Sequence, residues 1–192
     1  VYMLKKITLL SALLLTLGGC AQSPQQIHLK PEITINHQVS NQPSVHLSVV
    51  DKRPNQSLGT RGGTYSESNH ITLASSLQSM LKPIASAALS EIGVVIDQPS
   101  PMPTDLEIWV EKLQYDVNNE KTLPLEITLN AQIAAIANKG GKEQISRYQS
   151  SKVHKFLTAP STEKNEEIIN AIVSTTLTRL LNDPKLIDFI QK

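Results

Sequence analysis

The stretch LEITLNAQIAA, residues 125–135, carries the most regular pattern in the chain. Apolar residues stand at every second position from Leu125 to Ala135, with polar or small residues between them. Because successive side chains of a strand point to opposite faces, this alternation predicts a strand with one buried face and one open face. The turn residues 138–141 follow, and they predict a hairpin to a more polar strand over 143–157.

Two further strands precede this hairpin. Alternating apolar residues predict a long strand over 106–117, and its parity shifts between Val110 and Leu113, as a β-bulge requires. A shorter strand is predicted over 45–51. The long strands follow one another through short turns, so they predict an antiparallel meander.

The remaining apolar residues fall at helical spacing. Residues 73–92 predict one helix, in which Pro83 would produce a kink or a split. Ser161 and Thr162 open a second helix, and Asp183 with Pro184 begins a short last one. The expected fold class is α+β: a mostly antiparallel sheet with two main helices packed on one face, preceded by a signal peptide and a flexible tether.

The N-terminus has the organisation of an export leader. Lys5 and Lys6 precede an apolar stretch, residues 7–16, that is too short to span a bilayer, and a cysteine follows two glycines. The motif resembles the lipobox of bacterial lipoproteins and consists of Leu17, Gly18, Gly19 and Cys20. The resemblance implies that Cys20 receives diacylglyceryl and N-acyl groups, anchors the chain in a membrane, and becomes the new N-terminus after cleavage.

These features divide the chain into three parts. Residues 1–19 are the expected signal peptide, residues 20–43 a lipidated N-terminus with a flexible tether, and residues 44–192 a single α+β periplasmic domain. The tether is rich in Gln, Ser, Asn and Pro, although alternating Ile27, Leu29, Ile33 and Ile35 allow part of it to add as an edge strand. Ala21 replaces the aspartate that commonly retains lipoproteins at the inner membrane, so the outer membrane, facing the periplasm, is the expected address.

Composition argues against several function classes. Without Lys5 and Lys6 the chain carries 16 basic and 17 acidic residues, which predicts no nucleic-acid binding. Cys20 is the only cysteine, so no internal disulfide is expected. The five histidines are scattered and none pairs with another at metal-ligand spacing, so neither a metal site nor any cofactor beyond the acyl groups is expected.

No residue set predicts catalysis. The sequence lacks a Gly-x-Ser-x-Gly nucleophile elbow, and the only thiol is expected to be acylated. Glu107, Glu111 and Asp116 could supply paired carboxylates, but alternating charges on a strand usually form its solvated face. The chain is therefore expected not to be an enzyme.

Residues 51–72 form a long polar stretch that is the candidate partner-binding loop, with Asp51, Arg53, Arg61 and Tyr65 as its candidate contact residues. The Asp51 and Arg53 side chains could pair and fix the direction in which the loop leaves its strand. The glycine-rich run that begins at Gly59 lacks the ending of a phosphate-binding loop and is interpreted as a flexible turn.

Taken whole, the chain resembles the YajG family of bacterial outer-membrane lipoproteins. The resemblance rests on Cys20 in the lipobox, Ile33 and Ile35, Asp51-Lys52-Arg53, the helix after Ile71-Thr72-Leu73, Leu113-Gln114-Tyr115-Asp116-Val117, and Ile187-Asp188-Phe189-Ile190. It implies an envelope location and an α+β domain, and assigns no activity. The first hypothesis is a non-enzymatic domain that binds an envelope protein or glycan; the alternative is an accessory lipoprotein of an ABC-type or lipid-trafficking transport system.

Overall fold

In the computed structural model, residues 23–63, 66–118 and 123–192 are described. Over these residues the chain forms eight strands and three helices. The strands are β1 Gln25–Ile27, β2 Ser44–Asp51, β3 Gly59–Thr60, β4 His70–Leu73, β5 Val95–Ile96, β6 Thr104–Val117, β7 Leu125–Lys139 and β8 Lys142–Phe156. The helices are α1 Leu77–Glu91, α2 Thr162–Leu181 and α3 Pro184–Gln191.

Strands β6, β7 and β8 form the predicted antiparallel meander. Leu125 pairs with Phe156 at one end of the β7–β8 ladder, and Lys139 pairs with Lys142 at the other end. The β6–β7 register shifts between Val110 and Lys112, which confirms the predicted bulge. The bulge keeps apolar side chains on the inner face of β6 along its whole length.

The sheet as a whole is mixed, so the expectation of a mostly antiparallel sheet was wrong. On the edge of β6 opposite β7, strands β2 and β3 both run parallel to it. Strand β2 also runs parallel to β5, and β1 runs parallel to β4. The physical reason is the helix α1, which lies between β2 and β6 in sequence and returns the chain to the sheet in its original direction.

The helices α1 and α2 pack with the inner faces of the strands into one hydrophobic core, which confirms the α+β class. Helix α1 begins at Leu77, four residues later than predicted, and Ser76 caps it by accepting a hydrogen bond from the Ser79 amide. Leu73 belongs to strand β4 instead. The helix continues through Pro83 without being split, because only one backbone donor is lost there.

The predicted polar loop over 51–72 contains strands β3 and β4. Gly59 pairs with Tyr115 of β6, and a Cβ atom at Gly59 would overlap the carbonyl oxygen of Tyr115. Its φ of 155° is also unfavourable for other residues. The interpretation of this glycine as part of a flexible turn was therefore wrong: it allows β3 to approach β6 closely.

The interpretation of residues 20–43 as a flexible tether does not hold for the described part. Gln25–Ile27 pairs in parallel with β4, so the edge strand left open by the sequence is present. Ile27 and Leu29 are 0% and 3% exposed, and Ile33 and Ile35 pack against the core. The domain therefore begins well before residue 44.

Candidate functional site

The Asp51 and Arg53 side chains form the predicted pair. Arg53 donates to both carboxylate oxygens of Asp51, from Nε at 2.9 Å and from Nη2 at 2.8 Å. The hydrogen bond from the Arg53 side chain lowers the pKa of Asp51. Because the Arg53 side chain is only 4% exposed, this pair shapes the start of the loop and offers little surface to a partner.

Arg61 is held by hydrogen bonds to parts of the domain other than the Asp51–Arg53 pair. Its guanidinium donates to the carbonyl oxygens of Ser23 and Pro160, both at 3.2 Å. Its backbone amide donates to Asn69, which is fully buried. The structure therefore does not bring Arg61 and Arg53 together, and Tyr65 and the lipobox residues 17–20 lie outside the described residues.

A cleft of about 630 Å³ lies between the loop after Arg53 and the open face of the sheet. The loop supplies one wall, and polar side chains of β6 and β7 supply the other. The lining residues are Arg53, Pro54, Asn55, Gln56, Ser57, Leu58, Gly59, Thr60, His70, Glu111, Lys112, Leu113, Gln114, Asp116 and Gln132. We call this space the polar cleft.

The two carboxylates in the polar cleft are held by neighbouring donors. Glu111 accepts hydrogen bonds from Gln132 at 2.6 Å and from Arg147 at 2.7 Å, and the Arg147 hydrogen bond lowers its pKa. Asp116 accepts a hydrogen bond from Gln114 at 2.8 Å. A general acid needs a carboxyl group with a raised pKa, so Glu111 is unsuited to that role. The cleft instead offers amide and charged groups for hydrogen bonding.

Three of the histidines have individual partners at or near the surface. His28 Nδ1 lies 3.0 Å from Glu166, and His46 Nδ1 lies 3.3 Å from Asp105. His154 stacks on Phe156, and burial lowers its pKa. Across the described residues, no group of three or more His, Cys, Asp or Glu side chains could hold a metal ion.

An extended segment, residues 28–36, lies along helix α2; we call it the strap. Its backbone amides at every second residue donate to α2 side chains at every fourth position and to the residue after the helix. The pairs are His28 with Glu166, Lys30 with Asn170, Glu32 with Ser174, Thr34 with Thr178 and Asn36 with Asn182. Two extended residues span about 6.7 Å and four helical residues about 6 Å. The strap amides and the accepting side chains of α2 therefore have nearly the same spacing along the helix.

The strap also fills the space beside α1. Its Leu29 amide contacts Met80 of α1, and Ile33 packs near Pro83 and Ile84. This arrangement was not predicted from the sequence, although the sequence contains a signal for it. Hydrogen-bonding residues recur at every fourth position of the second predicted helix, starting at Glu166, next to its apolar face.

A buried polar cluster joins three elements near Arg61. Asn165 of α2 accepts a hydrogen bond from the Tyr115 hydroxyl at 3.0 Å and donates to Gln25 Oε1 at 2.7 Å. All three side chains are at most 5% exposed. Burial raises the pKa of Tyr115 because the phenolate would lose its solvation. The cluster fixes β1 to β6 and α2, and nothing in its composition indicates catalysis.

Among the described residues, no helix combines the length and apolar character needed to cross a bilayer. Comparison with known proteins gives a sequence relative of nearly equal length. The chain is 26% identical over 197 residues to the uncharacterized lipoprotein YajG of Escherichia coli (strain K12), covering 99% of this chain and 98% of that protein.

Solved structures of similar shape are more distant. Protein XCC0632 from Xanthomonas campestris is 13% identical, covers 83% of this chain and 90% of its own, and has a TM-score of 0.47. A minor lipoprotein from Acinetobacter baumannii is 9% identical, and the match covers 78% of this chain and 88% of that lipoprotein with a TM-score of 0.36. Both similarities are weak.

The family comparison covers most of the chain. The model of a family described as "Uncharacterized lipoprotein" matches residues 31–191, which include most of the strap, strands β2 to β8 and the helices α1, α2 and α3. This description names no enzymatic activity, and membership in a lipoprotein family implies a location in the cell envelope. The chain therefore belongs to this family of uncharacterized lipoproteins, the YajG family that its sequence motifs resemble.

Proposed function

We propose that the mature protein is acylated on Cys20, faces the periplasm from the outer membrane, and acts there as a non-enzymatic binding domain. Membership in a lipoprotein family and the lipobox support the anchor. Ala21 supports the outer membrane, because the residue after the lipidated cysteine is not the aspartate that commonly retains such proteins at the inner membrane.

The polar cleft is the proposed recognition surface, and its lining carries this part of the proposal. Lys112 and His70 are exposed at its wall, beside the amide side chains of Gln114 and Gln132. These groups donate and accept hydrogen bonds, as an envelope protein or a glycan requires of its receptor. Hydrogen bonds from Gln132 and Arg147 hold the Glu111 carboxylate in place. These side chains of the cleft wall are therefore already ordered, which lowers the conformational entropy lost when a partner binds.

The strap favours this function over that of a transport accessory that carries an apolar ligand. Such a protein would need an open apolar groove beneath its helices. Here the space between α1 and α2 receives Leu29, Ile33 and Ile35 of the chain itself. The polar cleft on the opposite side of the sheet is the more accessible surface.

The binding hypothesis is tested by photocrosslinking in cells. A photoreactive residue at exposed Gln56, on the cleft wall, should yield a discrete adduct, and a second one at exposed Gln98, away from the cleft, should not. Lys112→Glu should abolish the Gln56 adduct. Equal adducts from both positions, or an adduct unaffected by Lys112→Glu, would contradict the cleft as the recognition surface.

The anchoring hypothesis needs a separate test. A Cys20→Ser variant should leave the membrane fraction and lose labelling with palmitate. A variant that still fractionates with membranes, or a wild-type protein that takes up no palmitate, would contradict anchoring through Cys20.

A further inference from the structure

Arg61 joins two separate parts of the chain at one end of the molecule. Its guanidinium donates to the carbonyl oxygen of Ser23, in the N-terminal segment, and to that of Pro160, just before α2. Strand β1, which follows Ser23 in the sequence, is buried between β4 and the start of α2. There Asn165 donates a hydrogen bond to the Gln25 side chain. The N-terminal segment is therefore fixed to the domain from Ser23 onward.

This attachment leaves a very short connection to the proposed lipid anchor. Cys20 precedes Ser23 by three residues, which span at most about 10 Å when fully extended. The acyl chains on Cys20 must enter the bilayer within that reach. The domain consequently cannot stand off from the membrane, and the end that carries Ser23 must face it.

Two large apolar side chains are exposed at the same end. Leu157 is 80% exposed and Leu123 is 67% exposed. Leu157 directly follows Phe156, the partner of Leu125 at the end of the β7–β8 ladder, and Leu123 lies two residues before Leu125. Leu157 is also only three residues from Pro160, the second partner of Arg61. Two strongly exposed leucines at the end where the N-terminal segment is attached favour an interaction surface there.

Two lysine side chains near this end are paired with carboxylates. Lys155 pairs with Glu126 at 3.1 Å, and Lys164 pairs with Glu167 at 2.6 Å. These two lysines are therefore less available to anionic headgroups, and we assign the contact to the apolar side chains. Leucines at the boundary between headgroups and acyl chains are favourable because their side chains leave water.

We propose that Ser23, Leu123, Leu157 and Pro160 form a membrane-facing end, with both leucines inserted among the phospholipids of the leaflet that holds the acylated Cys20. This inference rests on the acylation proposed above. It also assigns an orientation to the domain. The end of the β7–β8 ladder with Leu125 and Phe156 lies next to the bilayer, and the hairpin end with Lys139 and Lys142 extends into the periplasm.

The test uses single reactive thiols in the full, acylated protein. Since Cys20 is the only cysteine, a Leu157→Cys variant has one free thiol when Cys20 is acylated. A fluorescent label there reports depth in vesicles of phosphatidylethanolamine and phosphatidylglycerol that contain a doxyl-labelled lipid. Met102→Cys is the matched control, because Met102 is 61% exposed and lies beside Gly140 at the hairpin end.

The label at Leu157 should show a blue-shifted emission and roughly threefold more quenching than the label at Met102. Leu123→Cys should behave like Leu157→Cys. Equal quenching at the Leu157 and Met102 positions, in protein whose mass shows the acyl groups, would overturn the inference and leave the anchor intact. A second reactive thiol and a mass without lipid would instead overturn the anchor itself, and the inference with it.

Discussion

The hydroxyl group of Tyr115 on β6 donates a 3.0 Å hydrogen bond to Oδ1 of Asn165 on α2, and both side chains are at most 2% exposed. Asn165 then donates to Gln25 on β1. A buried polar group without a partner is costly, so these three residues specify how the N-terminal strand, the central strand and the helix fit together.

Tyr115→Phe should lower the free energy of unfolding by about 1–3 kcal/mol, because the Asn165 oxygen loses its donor in the interior. Urea denaturation at pH 7 measures this effect, with an unchanged m-value. Tyr148→Phe is the control: Tyr148 is only half-buried, and its ring can still stack under Arg179. An equal loss in both variants would show that the buried hydrogen bond is not responsible.

The same residue should give the protein a characteristic alkaline limit. Burial raises the pKa of Tyr115 in the folded state, whereas in the unfolded chain it ionises near pH 10. Its stabilising contribution is therefore complete below about pH 10 and is lost as the pH rises, by up to about 1.4 kcal/mol per pH unit. Urea titrations at pH 8, 10 and 11 should show the difference between wild type and Tyr115→Phe shrinking. A constant difference would contradict the role of burial.

Asp51→Asn should destabilise the protein by about 1–3 kcal/mol at pH 7, because the nearly buried Arg53 loses its charged acceptor. The pKa of Asp51 is lowered in the folded state, so its contribution is present above the unfolded pKa of about 3.9 and is lost as the pH falls through the lower folded value. The difference from wild type should therefore shrink below about pH 4.

The matched control for this variant is Asp105→Asn, which also removes one negative charge. Asp105 is 67% exposed and lies 3.3 Å from His46, so it should change stability by less than about 0.5 kcal/mol. Chemical denaturation across pH 2–7 measures both variants. If Asp105→Asn costs as much as Asp51→Asn, net charge rather than the Arg53 pair explains the loss.

Asn170→Ala should loosen the strap. Asn170 accepts a hydrogen bond from the Lys30 amide at 2.6 Å and donates to the His28 carbonyl at 3.0 Å. Losing about 1.4 kcal/mol or more there should raise amide hydrogen exchange in residues 28–36 by about tenfold, while exchange in β6 and β7 stays unchanged.

Thr175→Ala provides a comparison on the same helix. Thr175 is exposed and its hydroxyl bonds only within α2, to the Ala171 carbonyl. Its substitution should leave exchange in the strap at the wild-type rate. Faster exchange across the whole domain in the Asn170→Ala variant would mean that the strap unfolds only together with the core.

The sequence by itself determined the elements whose signals are local. Alternation over Leu125–Lys139 predicted the long strand and its hairpin, and the parity shift after Val110 predicted the bulge. Ser161 and Asp183 cap the helices whose starts they predicted. The lipobox at Cys20 predicted a lipoprotein, and the family comparison agrees. Each of these signals depends only on residues that are close together in the sequence, so it can be recognised without knowledge of the tertiary structure.

Only the tertiary structure decided how these elements meet. The parallel pairing of β2 with β6 depends on where α1 crosses the sheet, and the place of Gly59 depends on the approach of Tyr115. The polar and proline-rich composition of the N-terminal segment predicted a flexible tether. In the structure, hydrogen bonds to α2 and the buried side chain of Leu29 hold this segment in place. Its stability comes from partners about 140 residues away, such as Asn170 for Lys30, and no local pattern in the segment encodes a contact at that distance.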